Sequence, residues 1–401
     1  MSKIDDLIAK LCPDGVEFKI IKDIAEVGTG NRNGNEAIEN GFYPLFVRSK
    51  IVKSLNSYDF EEEAIIIPGE GGIGEIFHYI NGKYALHQRA YRIHFLKDRI
   101  ISKFAFYYMM SNFKKFINKV AVNATVTSIR KPMIEKFPIP IPPIEIQEEI
   151  VKILDSFTSL EAELEAELEA RNAQYDFYRN QLLSFENKNV EWKSLGEVGE
   201  FVRGTGLQKS DFRDNGVGCI HYGQIYTYYG TYATKTKSFV SESLALRLRK
   251  AKKGDLIIAG VSENIEDVCK AVVWLGDDEI CISGDSSAYR HQQNPKYIGY
   301  LFQTKRFFEF KKKYAQGAKV TRLRSGSLPN FLIPVPALEE QERIVAILDQ
   351  FDALVNDIKS GLPAEIKARR QQYEYYREKL LTFKCRNQNL QDNCQNQNLQ
   401  D

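Results

Sequence analysis

The residues best equipped for chemistry in this 401-residue chain form patterns that stop short of a catalytic centre. Residues 69–74, GEGGIG, fit the G-x-G-x-x-G spacing of a dinucleotide loop behind a strand-like run. Such a loop needs a helix N-terminus directly after it to receive the phosphates. The next residues are EIFHYINGKYAL, where Asn81-Gly82 between apolar stretches signals a hairpin. A glycine-rich turn that lets the backbone approach something closely fits these residues better. The five histidines (His78, His87, His94, His221, His291) form no HxH or HExxH, and no cysteine pair stands beside them, so no zinc motif is present. The sequence has no GxxxxGK[ST] and no GxSxG elbow. Nor does Asn294-Pro295-Lys296 make the Asn-Pro-Pro-aromatic loop with which amino-methyltransferases hold a flipped base. The paired carboxylates Glu148, Glu149, Glu339 and Glu340 sit on predicted helix flanks, where solvation accounts for them. The expectation is a chain that catalyses nothing by itself and binds no metal or cofactor.

Polar recognition chemistry is plentiful instead. Arg48-Ser49-Lys50, Gly71-Gly72 and His87-Gln88-Arg89, with Thr127 and Arg130 further on, combine guanidinium forks, amides and open backbone. His221, Tyr222, Gln224 and Tyr226, with Lys319, Thr321, Arg322 and Arg324, offer the same mixture later in the chain. Such groups can read guanine and adenine edges, although a surface or turn-stabilising role suits any one of them equally. Net charge is only +2, but it is segregated. Residues 161–169 hold five glutamates and no base, while 305–324 hold eight Lys/Arg against one acid, Glu309. A basic stretch interleaved with Phe and Tyr suits a phosphate backbone; its plain alternative is a solvated amphipathic helix.

The elements that must position these groups come twice. IPIPPIEIQEEIVKILDSFTSL (139–160) and IPVPALEEQERIVAILDQFDAL (333–354) share thirteen of 22 positions at a constant offset of 194. QYDFYRNQLLSF (174–185) answers QYEYYREKLLTF (372–383) at offset 198. That period exceeds any solenoid repeat, so the molecule is two similar halves. Each half reads as a mixed, aromatic-rich globular segment, a Pro-rich hinge and a long helix, hence α+β. VEFKIIKDIAEVGTG (16–30) resembles VEWKSLGEVGEFVRGTG (190–206) with two residues inserted, and Ala90-Tyr91-Arg92 matches Ala288-Tyr289-Arg290. Both segments continue into an aromatic helix, 103–119 and 297–314, and a TVTSIR/KVTRLR pair.

Beyond the prolines comes heptad-like spacing: Ile150, Ile153, Phe157, Leu160, Leu164, Tyr175 and Tyr178 in one copy. The other copy has Ile344, Ile347, Phe351, Leu354, Ile358, Tyr373 and Tyr376. A narrow seam of that length needs a partner helix, and the other copy is the obvious one, packed antiparallel as a coiled coil. The four-residue difference in offset falls near Gly361-Leu362-Pro363, where a helix should kink or break. The first copy carries a tandem LEAE-LEAE-LEA run (160–170) there, a ruler adjustable in quartets. The expected divisions are 1–142, a rod at 143–186, 187–336, a second rod at 337–384, and a disordered Asn/Gln-rich tail at 385–401.

Hydrophobic content of 43% and charged content of 27% are those of a soluble globular protein. No apolar run reaches the ~18 residues a bilayer span needs. Without a secretory leader or a CxxC pair, the expected compartment is the cytoplasm.

Over residues 1–384 the chain resembles the specificity subunit of type I restriction–modification systems. The resemblance rests on the two Pro-to-helix junctions, the two QYxxYRxxLL[ST]F endings, FVRS (46–49), PGEGGIGEIFHYINGKYALHQR (68–89) and IHYGQIYTYYG (220–230). It implies that each globular segment is a target recognition domain for one half of a split, asymmetric sequence in double-stranded DNA. The helices would form the spacer and dock two modification subunits. Those partners would carry S-adenosylmethionine and methylate adenine, and restriction subunits would add ATP- and Mg-dependent translocation and cleavage. The LEAE quartets match the family's short repeats that set the gap between half-sites. A coiled-coil scaffold that binds proteins is the alternative from another class.

Overall fold

In a computed structural model the chain is described at residues 3–96, 99–120, 128–186, 189–317, 320–323, 326–357 and 360–386. Thr127, Lys319, Arg324, Ile358 and the tail from 387 onward lie outside the described residues. The chain forms two compact units, Met1–Glu163 with Lys367–Asp401, and Leu164–Ile366.

The first unit is built on β1 (Glu17–Ile20), β2 (Ala25–Thr29), β3 (Tyr43–Phe46), β4 (Lys53–Leu55), β5 (Phe60–Pro68), β6 (His78–Leu86), β7 (Ala90–Phe95) and β8 (Pro138–Ile141). Six strands make one sheet in the order β2-β7-β5-β6-β3-β4, in which β3 runs parallel to β6. The apolar run of β5 is buried on both faces. Ile65 and Ile67 pack under the Ser102–Val120 helix with Phe104 and Phe113, while Ala64 and Ile66 meet Phe46, Tyr84 and Leu86. The strand period of two is what sorts neighbouring side chains into separate clusters.

The second unit repeats the plan in β9 (Glu191–Ser194), β10 (Gly199–Arg203), β11 (Val217–Ile220), β12 (Tyr232–Ala233), β13 (Ser238–Val240), β14 (Lys250–Ala251), β15 (Leu256–Ala259), β16 (Val261–Ser262), β17 (Ala271–Trp274), β18 (Ile280–Ile282) and β19 (Ser286–His291). Leu256 and Ile258 join one core cluster, Ile257 and Ala259 the other. Here the sheet divides into β10-β19-β15-β17-β12 and β13-β11-β18-β14. The place of the single β6 is taken by β17 and β18.

Several local expectations are corrected. Asn81-Gly82 is no hairpin turn: both residues lie inside β6, paired with Glu63 and Glu62 of β5. A type I′ turn needs positive φ at both positions, and only Gly82 has it. The prolines lie in extended chain, as their chemistry requires, but they are not free hinges. Pro138 and Pro140 sit in β8 against β1, and Pro334 sits in the strand Leu332–Val335 against β9, with Phe18 opposite Pro140 and Trp192 opposite Pro334. Two-stranded ribbons tolerate Pro because its missing N–H can face away from the ladder. The aromatic helix expected at 297–314 is two helices, Pro295–Leu301 and Lys305–Tyr314, because Thr304 caps the second by accepting from the Phe307 amide. Cys385 and Arg386, expected in the disordered tail, are held instead: Cys385 bridges Val16, and the Arg386 amide donates to the Val16 carbonyl.

One helix, Ile144–Ser184, runs for 41 residues, about 60 Å at ~1.5 Å per residue. The second rod is broken where Gly361-Leu362-Pro363 predicts, into Leu338–Asn356 and Leu362–Leu380. In the first unit Phe157 stacks with Tyr376 and touches Tyr373, and Arg370 pairs with Glu161, an antiparallel arrangement. In the second unit Tyr175 and Tyr178 stack on Phe351. The first turns are seated differently from the expected seam. Ile146, Ile150 and Leu154 are fully buried against their own globular core, as are Ile344 and Leu348. Ile153, Leu160 and Ile347 are half-buried and Leu354 is exposed.

Candidate nucleic-acid interface

In the first unit three segments distant in sequence meet at one corner of the sheet. The chain leaving β3 carries Arg48 and Ser49, the chain leaving β5 carries Glu70 and Gly71, and the turn from β6 into β7 carries His87, Gln88 and Arg89. Backbone bonds fix the corner: His87 N donates to Phe46 O, Gly69 N to Arg89 O, Ala90 N to His87 O, and Ile129 N to Gly69 O. Gly30 crosses behind it, so close that a Cβ there would lie 1.8 Å from Leu86 O. Gly71, Gly72 and Gly74 all adopt positive φ, which only glycine does cheaply, and no helix comes directly after them. A cleft of about 700 Å³ opens between these segments, lined also by Asn33, Asn35 and Lys53.

The cleft's charges are partly committed. Arg48 and Arg89 both donate to Glu70, and these two guanidinium groups hold the Glu70 carboxyl below the usual carboxylate range. Lys53 Nζ donates to Gly34 O, and Arg32 is taken by Asp59 and Glu36. His87 is buried, and burial together with both arginines pushes its pKa down. Its Nδ1 accepts from the Arg89 amide, so the proton of the neutral ring sits on Nε2. Gln88 donates its amide to Asn33, Ser49 Oγ donates to Ile51 O, and Lys50 and Arg130 are exposed.

The second unit makes an equivalent corner from three of the same bonds. Ser283 N donates to Ile220 O, Gly260 N to Asp285 O, and Ser286 N to Ser283 O. Gly204 is crowded too: a Cβ there would lie 2.1 Å from Ser283 O and 2.8 Å from Ile282 O, the counterpart of Leu86 O. These bonds align Arg48 with Tyr222, Glu70 with Val261, and Arg89 with Asp285. They also place Ala90 at Ser286 and β2 on β10 without the two-residue insertion, correcting both sequence alignments. Arg322 reaches Asp285 at 3.9 Å, and Thr321 lies beside it in a short strand paired with β16. His221 and Gln224 are both buried and bonded inward. His221 accepts from the Gly223 amide, and Gln224 accepts from His221 N and donates to Ser238. Tyr222 and Tyr226 remain half-exposed beside them. The basic run contributes packing as well as charge, since Lys311 is buried with its amine on the Glu266 and Val268 carbonyls, and Arg306 stacks on Trp192.

Sequence reading passed over two groups. Glu70, although inside the GEGGIG run, and Asp285, the carboxylates at the two corners, were not singled out. Gln147 and Gln341 marked the repeat without suggesting a task. Each is fully buried at its helix start: Gln147 accepts from Ile101 N and donates to the Arg99 and Pro142 carbonyls. Gln341 accepts from Asn294 N and donates to Gln293 and the Pro336 carbonyl. Two turns on, Asp155 takes Lys103 and Tyr107 while Asp349 takes Lys296 and Tyr300. Identity of a polar residue across both copies was the available signal.

The family described as "Type I restriction modification DNA specificity domain" matches residues 13–170 and again 187–368. The chain belongs to this family. Among relatives, it is 37% identical over 261 residues to the EcoR124I/EcoR124II specificity subunit of Escherichia coli, covering 62% of this chain and 63% of that one. It is 28% identical over 398 residues to a putative type I restriction enzyme specificity subunit of Haemophilus influenzae, covering 92% and 96%. The fold is similar to a type I restriction–modification S subunit from M. genitalium, with TM-score 0.55 at 15% identity over 91% of this chain and 95% of that one. A second solved structure, described as showing complex assembly and conformational transition of the type I system, gives TM-score 0.56 at 16% identity over 93% and 98%. Among the described residues, no helix of this family member is long and apolar enough to cross a membrane.

Proposed function

We propose that this chain is the non-catalytic DNA-specificity subunit of a type I restriction–modification complex, each unit reading one half of a bipartite, asymmetric target in double-stranded DNA. The observation that carries this reading is the pair of corners: one backbone frame, occurring once per specificity domain, filled with unlike side chains. Like frames suit like placement on a duplex, and unlike donors and acceptors suit unlike base edges. Modification subunits supply S-adenosylmethionine and the methyl transfer to adenine, and restriction subunits supply ATP- and Mg-dependent cleavage. The helices dock two modification subunits and set the spacer. Equivalent helix positions support two like dockings: Phe177 is 62% exposed in one unit and Tyr375 63% in the other, each ring edge-on to the next tyrosine. Exposed aromatics of this kind are common anchors in protein interfaces.

Mapping methylated adenines in DNA from cells that express the chain with its modification partner tests the proposal. The expected result is one bipartite, asymmetric motif that disappears when the chain is omitted. Methylation that persists without the chain, or a continuous symmetric motif, overturns it.

A further inference from the structure

Among the described residues, the corner of the first unit holds a charge arrangement that the corner of the second does not. Glu70 Oε2 accepts from Arg48 Nη1 at 2.8 Å, and both Glu70 oxygens accept from Arg89 Nη1 at 3.0 and 3.1 Å. All three side chains reach solvent, with exposures of 46% for Arg48, 57% for Arg89 and 37% for Glu70. Each arginine therefore spends one nitrogen on the carboxylate. Among the described residues, nothing engages the remaining N–H groups of either fork. The neighbouring cations Lys53 and Arg32 are committed elsewhere, while Arg48 and Glu70 line the cleft and Arg89 is tied to that wall through Glu70.

We propose that Arg48 and Arg89, held as a pair by Glu70, read a guanine in the major groove of the half-site assigned to the first unit, with Glu70 as the positioning residue. This rests on the function proposed above. A guanidinium fork matches guanine O6 and N7 through two parallel bonds, the commonest specific protein–DNA contact. Two unrestrained arginines would repel each other and seek phosphates, which carry no sequence information. A carboxylate between them removes one net positive charge and fixes both forks, leaving their outer edges to face a base. The second unit has Val261 where Glu70 stands and Asp285 where Arg89 stands, so its corner cannot make the same clamp. The two half-sites then differ by construction.

The test uses the full chain assembled with its modification subunits, and duplexes carrying the mapped target changed one base pair at a time, at several salt concentrations. For Glu70→Gln we expect roughly five- to 150-fold lost discrimination at one G·C pair of one half-site. Binding to unrelated DNA should tighten, and its salt dependence should steepen. Arg89→Lys keeps the charge and removes the fork, so it should lose the same discrimination at unchanged salt dependence. Glu70 is half-exposed at the rim of the cleft, so the fold should tolerate its substitution, and unchanged melting checks this. An unaltered specificity profile for Glu70→Gln overturns the inference, as does uniform weakening on every sequence with Arg89→Lys, or a half-site without guanine. In those cases the wild-type complex still selects its bipartite target and the broader function stands. A wild-type complex with no sequence preference overturns both.

Discussion

The two sheet corners share a backbone and differ in almost every side chain that faces outward. His87, Gln88 and Arg89 turn one strand into the next in the first unit, and Ser283, Gly284 and Asp285 do so in the second, with equivalent hydrogen bonds on either side. At the helix seats the reverse holds: Gln147 and Gln341, like Asp155 and Asp349, keep their identity and all but one of their partners, the Gln293 side chain taking in the second unit the bond that the Arg99 carbonyl takes in the first. Side chains that hold a helix on its domain answer to packing and buried hydrogen bonds, which are nearly the same in both copies. Side chains at the corner are free of that constraint. The contrast separates a shared scaffold from a variable corner within one chain, as the proposed reading of DNA requires.

That contrast can be broken, and the largest effect should come from the seats. Gln147→Leu and Gln341→Leu each strand buried backbone groups, and each should cost about 1–3 kcal/mol. Denaturant unfolding of the two variants should show matched losses; a free substitution in one unit would end the equivalence. A smaller effect distinguishes the units by pH. His291 occupies the strand position that Phe95 holds in the first unit. Burial lowers its pKa to about 4, with Nδ1 accepting from Gln293 N and Nε2 buried without a partner. Because the folded value lies below the ordinary 6.5, the unfolded chain takes up the proton first. Stability contributed by the neutral ring is therefore full above about pH 6.5 and is lost as pH falls toward 4. His291→Phe, which makes the second unit like the first, should flatten melting temperature between about pH 7 and 5; an unchanged slope would refute the assignment. The smallest stability effect is expected from removing one quartet, Leu164–Glu167, which shortens the helix by ~6 Å. It should narrow the spacer of the methylated motif by one or two base pairs and leave both half-sites intact, since neither corner is touched. An altered half-site in that variant would count against the helix as a ruler.

Much of the architecture was legible because helix and repeat signals are local. The break at Gly361-Leu362-Pro363 follows from proline chemistry, and the long first helix from uninterrupted apolar spacing and good helix formers. Corner residues were nominated by type, and Arg48, Gly71 and His87 do line one cleft. Their grouping with Glu70 and Lys53 was not legible, because backbone bonds between segments tens of residues apart create it. Asn81-Gly82 misled for the same reason: pairing with β5 outweighed a local turn preference. Likewise Pro138 and Pro140 read as a hinge until β1 supplied a ladder.

Duplication, the α+β character, the position of the helix break and the unlike chemistry of the halves were determined by the order of residues alone. They rest on spacing, side-chain type and self-similarity, none of which needs a fold to be counted. Only the tertiary structure decided which polar groups are spent inward, as with His221, Gln224 and Lys311, and which stay outward, as with Arg48, Arg89 and Arg322. The physical reason is burial: a donor's availability depends on neighbours that long-range pairing brings to it, and the linear sequence does not record them.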